Sequence, residues 1–294
     1  MEFLSNYHYP FSVLGLDEKV NKINKLAEKN NTLEVLKKII GFIDLTTLNS
    51  TDTTEKVEGM CLKVNDLAKT YPGVPNVAAI CVYPNFVSVV NYSLKVKNVG
   101  IASVAAGFPS SQTFLDIKIL ESKMAVESGA TDIDIVISVG EFLSGNYQKV
   151  FDEIVAIKKA VGKAHLKVIL ETGALSDPLK IWEASLLAMN AGADFIKTST
   201  GKMQPAATLE AAIVMVEAIN QYHKQTGRKV GFKPAGGIST SKDAAKYYTV
   251  VKEIVGDEWL NSELFRIGAS SLANKILSDI IQLESGKDQE IVYF

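Results

Sequence analysis

Two lysines in matching settings stand out in this sequence. Lys197 lies in Asp194-Phe195-Ile196-Lys197-Thr198-Ser199-Thr200-Gly201-Lys202, where apolar residues give way to hydroxyls and a glycine. Lys233 lies in Val230-Gly231-Phe232-Lys233-Pro234-Ala235-Gly236-Gly237, which repeats the design. Each reads as a lysine at the end of a strand. An isolated lysine there is ordinarily a side chain reaching for solvent. Two on consecutive strands form a pair built for chemistry. At about 6 Å and an effective dielectric of about 20, two like charges repel by roughly 3 kcal/mol, or about 2 pKa units. Burial acts in the same direction. One amine of such a pair is then in part neutral near pH 7 and attacks carbonyl carbon. The product is a Schiff base, an electron sink through which a neighbouring C–C bond breaks or forms.

The elements that position these lysines follow from hydrophobic patterning. Eight short runs rich in β-branched residues alternate with helical stretches. The runs begin near residues 40, 77, 100, 132, 166, 194, 230 and 264. That alternation implies βαβ units and a parallel sheet, and eight units are the count of a (β/α)8 TIM barrel. A doubly wound open sheet is the competitor, but no G-x-G-x-x-G follows the first strand. Residues 1–40 read as an aromatic arm and two short helices broken at Asn30-Asn31, placed to cap the bottom of the barrel. Residues 41–284 read as the barrel, and 285–294 as a tail.

A barrel of this kind works at the C-terminal ends of its strands. The polar residues expected there are Asp44, Cys81, Asp134, Glu171, Lys197 and Lys233. Side chains alternate along a strand, so Asp132 and Asp134 face inward while Ile133 and Ile135 pack on helices. Asp44 and Asp134 supply carboxylates to balance the lysines and move protons. For each aspartate alone, a supporting salt bridge explains the residue equally well. Glycine turns follow strands six to eight at Gly201, Gly236-Gly237 and Gly268, the last with Ser270 and Ser271 opening a helix. Such turns bind phosphate through backbone N–H groups and a helix N-terminus.

Composition narrows the class. The chain has 294 residues, 47% of them hydrophobic, enough for one large core. A net charge of −2 gives no electrostatic case for nucleic acid or an anionic membrane surface. No apolar run reaches membrane-spanning length, and the first residues lack the pattern of a signal peptide. Two cysteines and three scattered histidines match no disulfide framework or metal-ligand spacing, so no metal is expected and a reducing cytoplasm is.

From Phe42 to Ala273 the chain resembles the 2-deoxyribose-5-phosphate aldolases, class I aldolases on a TIM barrel. The motifs carrying the resemblance are Asp44-Leu45-Thr46-Thr47-Leu48, Ala79-Ile80-Cys81-Val82-Tyr83-Pro84, Asp132-Ile133-Asp134-Ile135-Val136, the two lysine stretches, and Arg266-Ile267-Gly268-Ala269-Ser270-Ser271. The resemblance implies that Lys197 forms the Schiff base, that Lys233 activates it by charge, and that Asp134 shuttles protons with a water. It places Asp44 and Cys81 on the wall of the substrate pocket and Thr200 near the substrate hydroxyls. Gly201, Lys202, Gly236, Gly237, Gly268, Ser270 and Ser271 complete the expected substrate-binding set. The implied reaction is reversible cleavage of 2-deoxy-D-ribose 5-phosphate to acetaldehyde and D-glyceraldehyde 3-phosphate, with no cofactor. Family habit implies a homodimer. The sequence departs from the family where many members carry an arginine two residues beyond the Gly-Gly turn, since Ser239 stands there. Some members use a C-terminal tyrosine as a proton relay, and here Tyr293 is penultimate. Two alternatives stay open: a Schiff-base aldolase for another or an unphosphorylated sugar, and a barrel that binds a sugar phosphate without catalysis.

Overall fold

The computed structural model describes residues 1–286 and 288–294. Helices α1 (Val13–Asn30) and α2 (Leu33–Ile40) come first, separated at Asn31-Thr32. Then β1 (Ile43–Thr46), α3 (Thr54–Thr70), β2 (Ala79–Val82), α4 (Val87–Ser93), β3 (Gly100–Val104) and α5 (Leu115–Glu127) follow. Next come β4 (Asp132–Val136), α6 (Val139–Leu143), α7 (Tyr147–Val161), β5 (His165–Ile169), α8 (Thr172–Leu175) and α9 (Pro178–Asn190). The chain continues through β6 (Phe195–Lys197), α10 (Leu209–Thr226), β7 (Gly231–Lys233), α11 (Ser241–Ile254), β8 (Ile267–Ala269) and α12 (Leu272–Ser285). Helix starts are written in local chemistry. The Thr53, Thr208 and Thr240 side chains accept from backbone N–H groups of the first turns of α3, α10 and α11. Asp177 does the same for α9, with Pro178 at its first position.

All eight strands are parallel in the order β7-β6-β5-β4-β3-β2-β1-β8. Bridges between Phe232 and Phe265, and between Ala235 and Gly268, close the ring. Alternation then divides the strand residues. Ile43, Leu45, Ile80, Ile133, Ile135, Leu166, Val168, Ile196 and Phe232 join the apolar layer shared with the helices. Ala79, Cys81, Ala102 and Val104 form a separate small cluster with Leu48. Much of the remaining barrel interior is charged. Such a core is tolerable only because its groups pair with one another.

The eight strands and the helices between them match the expectation from patterning. The differences lie at the boundaries. Ile40 belongs to α2 and not to the first strand, because a short apolar run reads equally well at either period. The last two strands are shorter than their apolar runs. The one-turn helices α6 and α8 are too short to leave a periodic signal. Helices α1 and α2 pack against the outer helices, α1 on α10 and α11, α2 on α11 and α12. Among the described residues no helix is long and apolar enough to cross a membrane.

Candidate active site

Register brings the two lysines together. Lys197 and Lys233 are Cα partners across β6 and β7. Both side chains point into the barrel and both reach Asp134 on β4. Asp134 Oδ2 accepts from Lys197 Nζ at 2.7 Å and from Lys233 Nζ at 2.7 Å. The two amines are thus no more than two hydrogen-bond lengths apart. Lys233 Nζ also donates to Asp44 Oδ2 at 2.5 Å, and the Arg266 guanidinium donates to Asp44 Oδ1 at 2.7 Å. One layer lower, Lys167 on β5 donates to Asp132. The Lys167 ammonium lies 3.8 Å from Asp134 Oδ1, which has no hydrogen-bond partner among the described residues.

The electrostatics hold three of these groups in their charged forms. Burial alone would push the Asp134 carboxyl up, but Lys197, Lys233 and Lys167 outweigh it and hold the group well below the usual range. Burial opposes the Lys233 ammonium, yet Asp134 and Asp44 outweigh that and raise it above the ordinary lysine value. Lys233 is therefore a fixed cation at any working pH. Asp44 is held low in the same way: burial raises it, and Lys233 and Arg266 more than compensate.

Above the network lies a cavity of about 290 Å3 at the C-terminal ends of the strands. Its lining includes Lys197, Thr200, Gly201 and Lys202 from the turn after β6, and Gly236, Gly237 and Ser239 from the turn after β7. Gly268 within β8, with Ser270 and Ser271 from the turn after it, completes one side, at the start of α12. Gly236 has φ of +85°, and a Cβ there would lie 2.7 Å from that of Ala206, so the turn demands glycine. Of the seven buried charges inside the barrel, Lys197 alone borders this cavity.

Thr200 is oriented from below. Its hydroxyl donates to Glu171 Oε2 at 2.6 Å, and its N–H donates to Glu171 Oε1 at 3.2 Å. Lys202 N–H donates to the Thr200 hydroxyl oxygen at 3.0 Å. With its proton committed to Glu171, Thr200 can only accept from a ligand. Glu171 holds this clamp from a left-handed backbone, φ +54°, which is uncommon for a non-glycine residue and clusters at functional sites.

Two expected pocket-wall residues stand elsewhere. Asp44 is fully buried beneath the cavity, because Arg266 and Lys233 hold both its oxygens in the interior. Cys81 packs within the small cluster of Leu48, Ala79, Ala102 and Val104, and burial pushes its thiol up. Tyr293 lies outside the cavity, its hydroxyl donating to the Lys63 carbonyl at 2.7 Å and its ring edge-on to Tyr71. Sequence reasoning confined to strand ends also passes over Lys167 and Arg266, which sit deeper. The signal was present, since both occupy positions of the inward alternation. Gly231 is the matching signal: a Cβ there would meet the Phe195 ring at 2.3 Å, and that ring fills the barrel under the Lys167 and Arg266 cations.

Comparison with known proteins agrees with this geometry. Residues 38–277 match the family described as DeoC/LacD family aldolase. The deoxyribose-phosphate aldolase of Homo sapiens is 46% identical over 263 residues, covering 86% of this chain and 82% of the human one. That of Mus musculus is 46% identical with the same coverage. Among solved structures, the deoxyribose phosphate aldolase of Aeropyrum pernix, described as a tetramer, superposes with a TM-score of 0.65 at 24% identity, covering 90% of this chain and 98% of its own. This chain belongs to the DeoC/LacD aldolase family.

Proposed function

We propose that this aldolase cleaves 2-deoxy-D-ribose 5-phosphate reversibly to acetaldehyde and D-glyceraldehyde 3-phosphate through a Schiff base on Lys197. The observation carrying the assignment is that, among the described residues, Lys197 alone of the buried charges borders the cavity, with a cation, Lys233, behind it. Lys197 Nζ adds to the C1 carbonyl of the open-chain sugar, and loss of water gives the iminium. The C2–C3 electron pair then moves into the iminium, leaving an enamine on Lys197. The C3 hydroxyl loses its proton and leaves as the aldehyde of glyceraldehyde 3-phosphate. Protonation of the enamine carbon and hydrolysis release acetaldehyde and restore the amine. Asp134, working with a water, is the proton carrier: Oδ2 accepts from both lysines, and Oδ1 has no hydrogen-bond partner among the described residues. Lys233 and Asp44 act by charge beneath the cavity. The turn at Gly236 and Gly237, with Gly268, Ser270, Ser271 and the start of α12, receives the phosphate. Thr200, Gly201 and Lys202 face the sugar hydroxyls. Cys81 stands beside the lysine network, not on the cavity wall.

The test is borohydride reduction with acetaldehyde followed by peptide mapping. The mass increase is expected on the peptide bearing Lys197, and Lys197→Leu abolishes both label and turnover. A label on Lys233 alone overturns the assignment. Turnover of deoxyribose equal to that of its phosphate favours the unphosphorylated-sugar reading, and binding without turnover favours a non-catalytic barrel.

The proposal includes a homodimer. Ile117, Leu120 and Met124 on one face of α5, with Phe114 ahead of it, are exposed apolar side chains that a second copy would cover. A monomer by light scattering at micromolar concentration would end that part. Two free, buried cysteines fit a reducing compartment such as the cytoplasm.

A further inference from the structure

Arg266 has no part in the reaction as written above, yet it is among the most thoroughly engaged residues of the barrel. It is 4% exposed and reaches inward from the residue before β8. Its guanidinium donates to Asp44 Oδ1 at 2.7 Å and to the Ser262 carbonyl, lies 3.9 Å from Asp132, and sits 6.0 Å from the Phe195 ring centroid. We infer that Arg266 is a positioning residue for the lysine pair: acting through Asp44, it leaves the barrel interior with one positive charge in excess. The inference rests on the reading of Lys197 as the nucleophile.

The buried charges inside the barrel are Lys167, Lys197, Lys233 and Arg266 against Asp44, Asp132 and Asp134. Lys167 is matched by Asp132. The rest form an alternating chain, Arg266–Asp44–Lys233–Asp134–Lys197. A chain that begins and ends on a cation carries one charge too many. Without Arg266, Asp44 would serve Lys233 fully and Asp134 would be free to serve Lys197. With it, Asp44 is divided, Lys233 leans on Asp134, and the ammonium at position 197 is the least compensated of the set. Lys197 is also the member bordering the cavity. The excess disappears when Lys197 is a neutral amine, returns in the iminium, and disappears again when the C2–C3 electron pair forms the enamine. The same charge therefore favours both the attacking amine and the bond-breaking step.

Other titratable groups face this chain. Cys81 on β2 lies beside Lys233 and Lys197, and its thiol is kept neutral by burial. His165 on β5 stands 3.4 Å from Asp132, and Glu263 faces Arg266 from the rim. Glu171 and Lys202 stand at the cavity end, engaged with Thr200 and with the Leu48 carbonyl. The anions at the lower rim are already committed or exposed, so the chain keeps its excess.

The experiment is the pH profile of kcat/KM for deoxyribose 5-phosphate, alongside thermal unfolding, in the parent and in Arg266→Gln and Arg266→Lys. Losing a cation at roughly 10 Å and an effective dielectric of about 20 should move the acid limb of Arg266→Gln upward by roughly 1 pH unit. Arg266→Lys should keep the parent limb. An unmoved limb in a folded Arg266→Gln, whatever its kcat or Tm, overturns the inference. So does an equal shift in both variants, which would make the effect one of packing. If Arg266→Gln does not fold, the double variant Asp44→Asn, Arg266→Gln removes one charge of each sign, the anion being the nearer to Lys197, and must not move the limb upward; an upward shift there overturns the inference. A parent trapped by borohydride at Lys197 with an unmoved variant limb sinks this inference alone. A parent not trapped at Lys197 sinks the functional reading and this inference with it.

Discussion

At the scale of single residues, the cavity wall explains what this chain can grip. Ser239 lines the cavity beside Gly237 and Ser271, so the position that many relatives fill with arginine does face the proposed phosphate site. A hydroxyl there offers a neutral hydrogen bond of about 1 kcal/mol, whereas a guanidinium offers a charge-assisted one of about 1.5–3 kcal/mol. The difference predicts phosphate discrimination roughly 3- to 30-fold weaker than an arginine would give. Ser239→Arg should raise kcat/KM for deoxyribose 5-phosphate by that order and leave plain deoxyribose nearly unchanged. Steady-state kinetics on the two sugars decide it, and an equal change for both would place position 239 out of phosphate contact. Lys202 does not substitute for the missing arginine in this structure, because its ammonium donates to the Leu48 carbonyl across the mouth at 2.5 Å.

At the scale of elements, the site depends on how each strand ends. Strand β5 stops at Ile169, and two residues later Glu171 turns left-handed to grip the loop after β6. Two effects are superposed there, backbone strain and a carboxylate clamp, and substitutions separate them. Glu171→Gln keeps the backbone problem and weakens the clamp, since an amide nitrogen accepts nothing from Thr200. Losing about 1–2 kcal/mol of hydrogen bonding should raise KM for the sugar phosphate about 5- to 30-fold, with a smaller change in kcat. Glu171→Gly removes the clamp and relieves the strain, so its Tm should fall less than that of Glu171→Gln while its KM rises at least as far. A normal KM in both variants would show that Thr200 holds its position without Glu171. This clamp marks the limit of what the sequence could disclose. The periodic pattern revealed the strands, and alternation placed Asp132, Asp134 and Lys197 in the interior. The glycines at 236–237 and 268 marked residues that line the cavity. Nothing local to Glu171 announced a left-handed backbone, because non-glycine residues take that conformation only when tertiary contacts impose it. The burial of Asp44 and Cys81 beneath and beside the cavity was hidden for a similar reason. Depth along a strand is set by barrel register, which spacing within one strand does not encode.

At the scale of the whole molecule, the charged interior couples stability to pH. Asp132 is the clearest case. Burial would raise its carboxyl, but Lys167 together with His165 and Arg266 holds it well below the ordinary range. Asp44 and Asp134 are also depressed. A carboxyl whose folded pKa lies below its unfolded value stabilises the fold above that unfolded value, about 3.9 for aspartate, and loses the contribution as pH falls toward the folded one. Lys233 has the opposite sign. Its folded value lies above the unfolded one of about 10.4, so its contribution is complete at neutral pH and fades only in strong alkali. Across the middle of the range none of these groups changes charge between states, and their contribution there should be flat. Acid should unfold the protein steeply below about pH 4, where all three aspartates begin to bind protons in the unfolded chain. The Lys167–Asp132 pair, one layer below the chemistry, allows the source of that steepness to be isolated. Lys167→Met alone leaves Asp132 with its principal partner gone and should destabilise by about 3–5 kcal/mol at neutral pH. The double variant Lys167→Met, Asp132→Asn carries no unpaired charge at that layer and should recover much of the loss. It should also show a shallower acid transition, because one fewer aspartate changes its proton affinity on unfolding. Urea titrations at neutral pH and near pH 4 measure both effects. A double variant as unstable as the single one, with the parent's acid slope, would mean that packing against the Phe195 ring, not charge pairing, holds the lower barrel together.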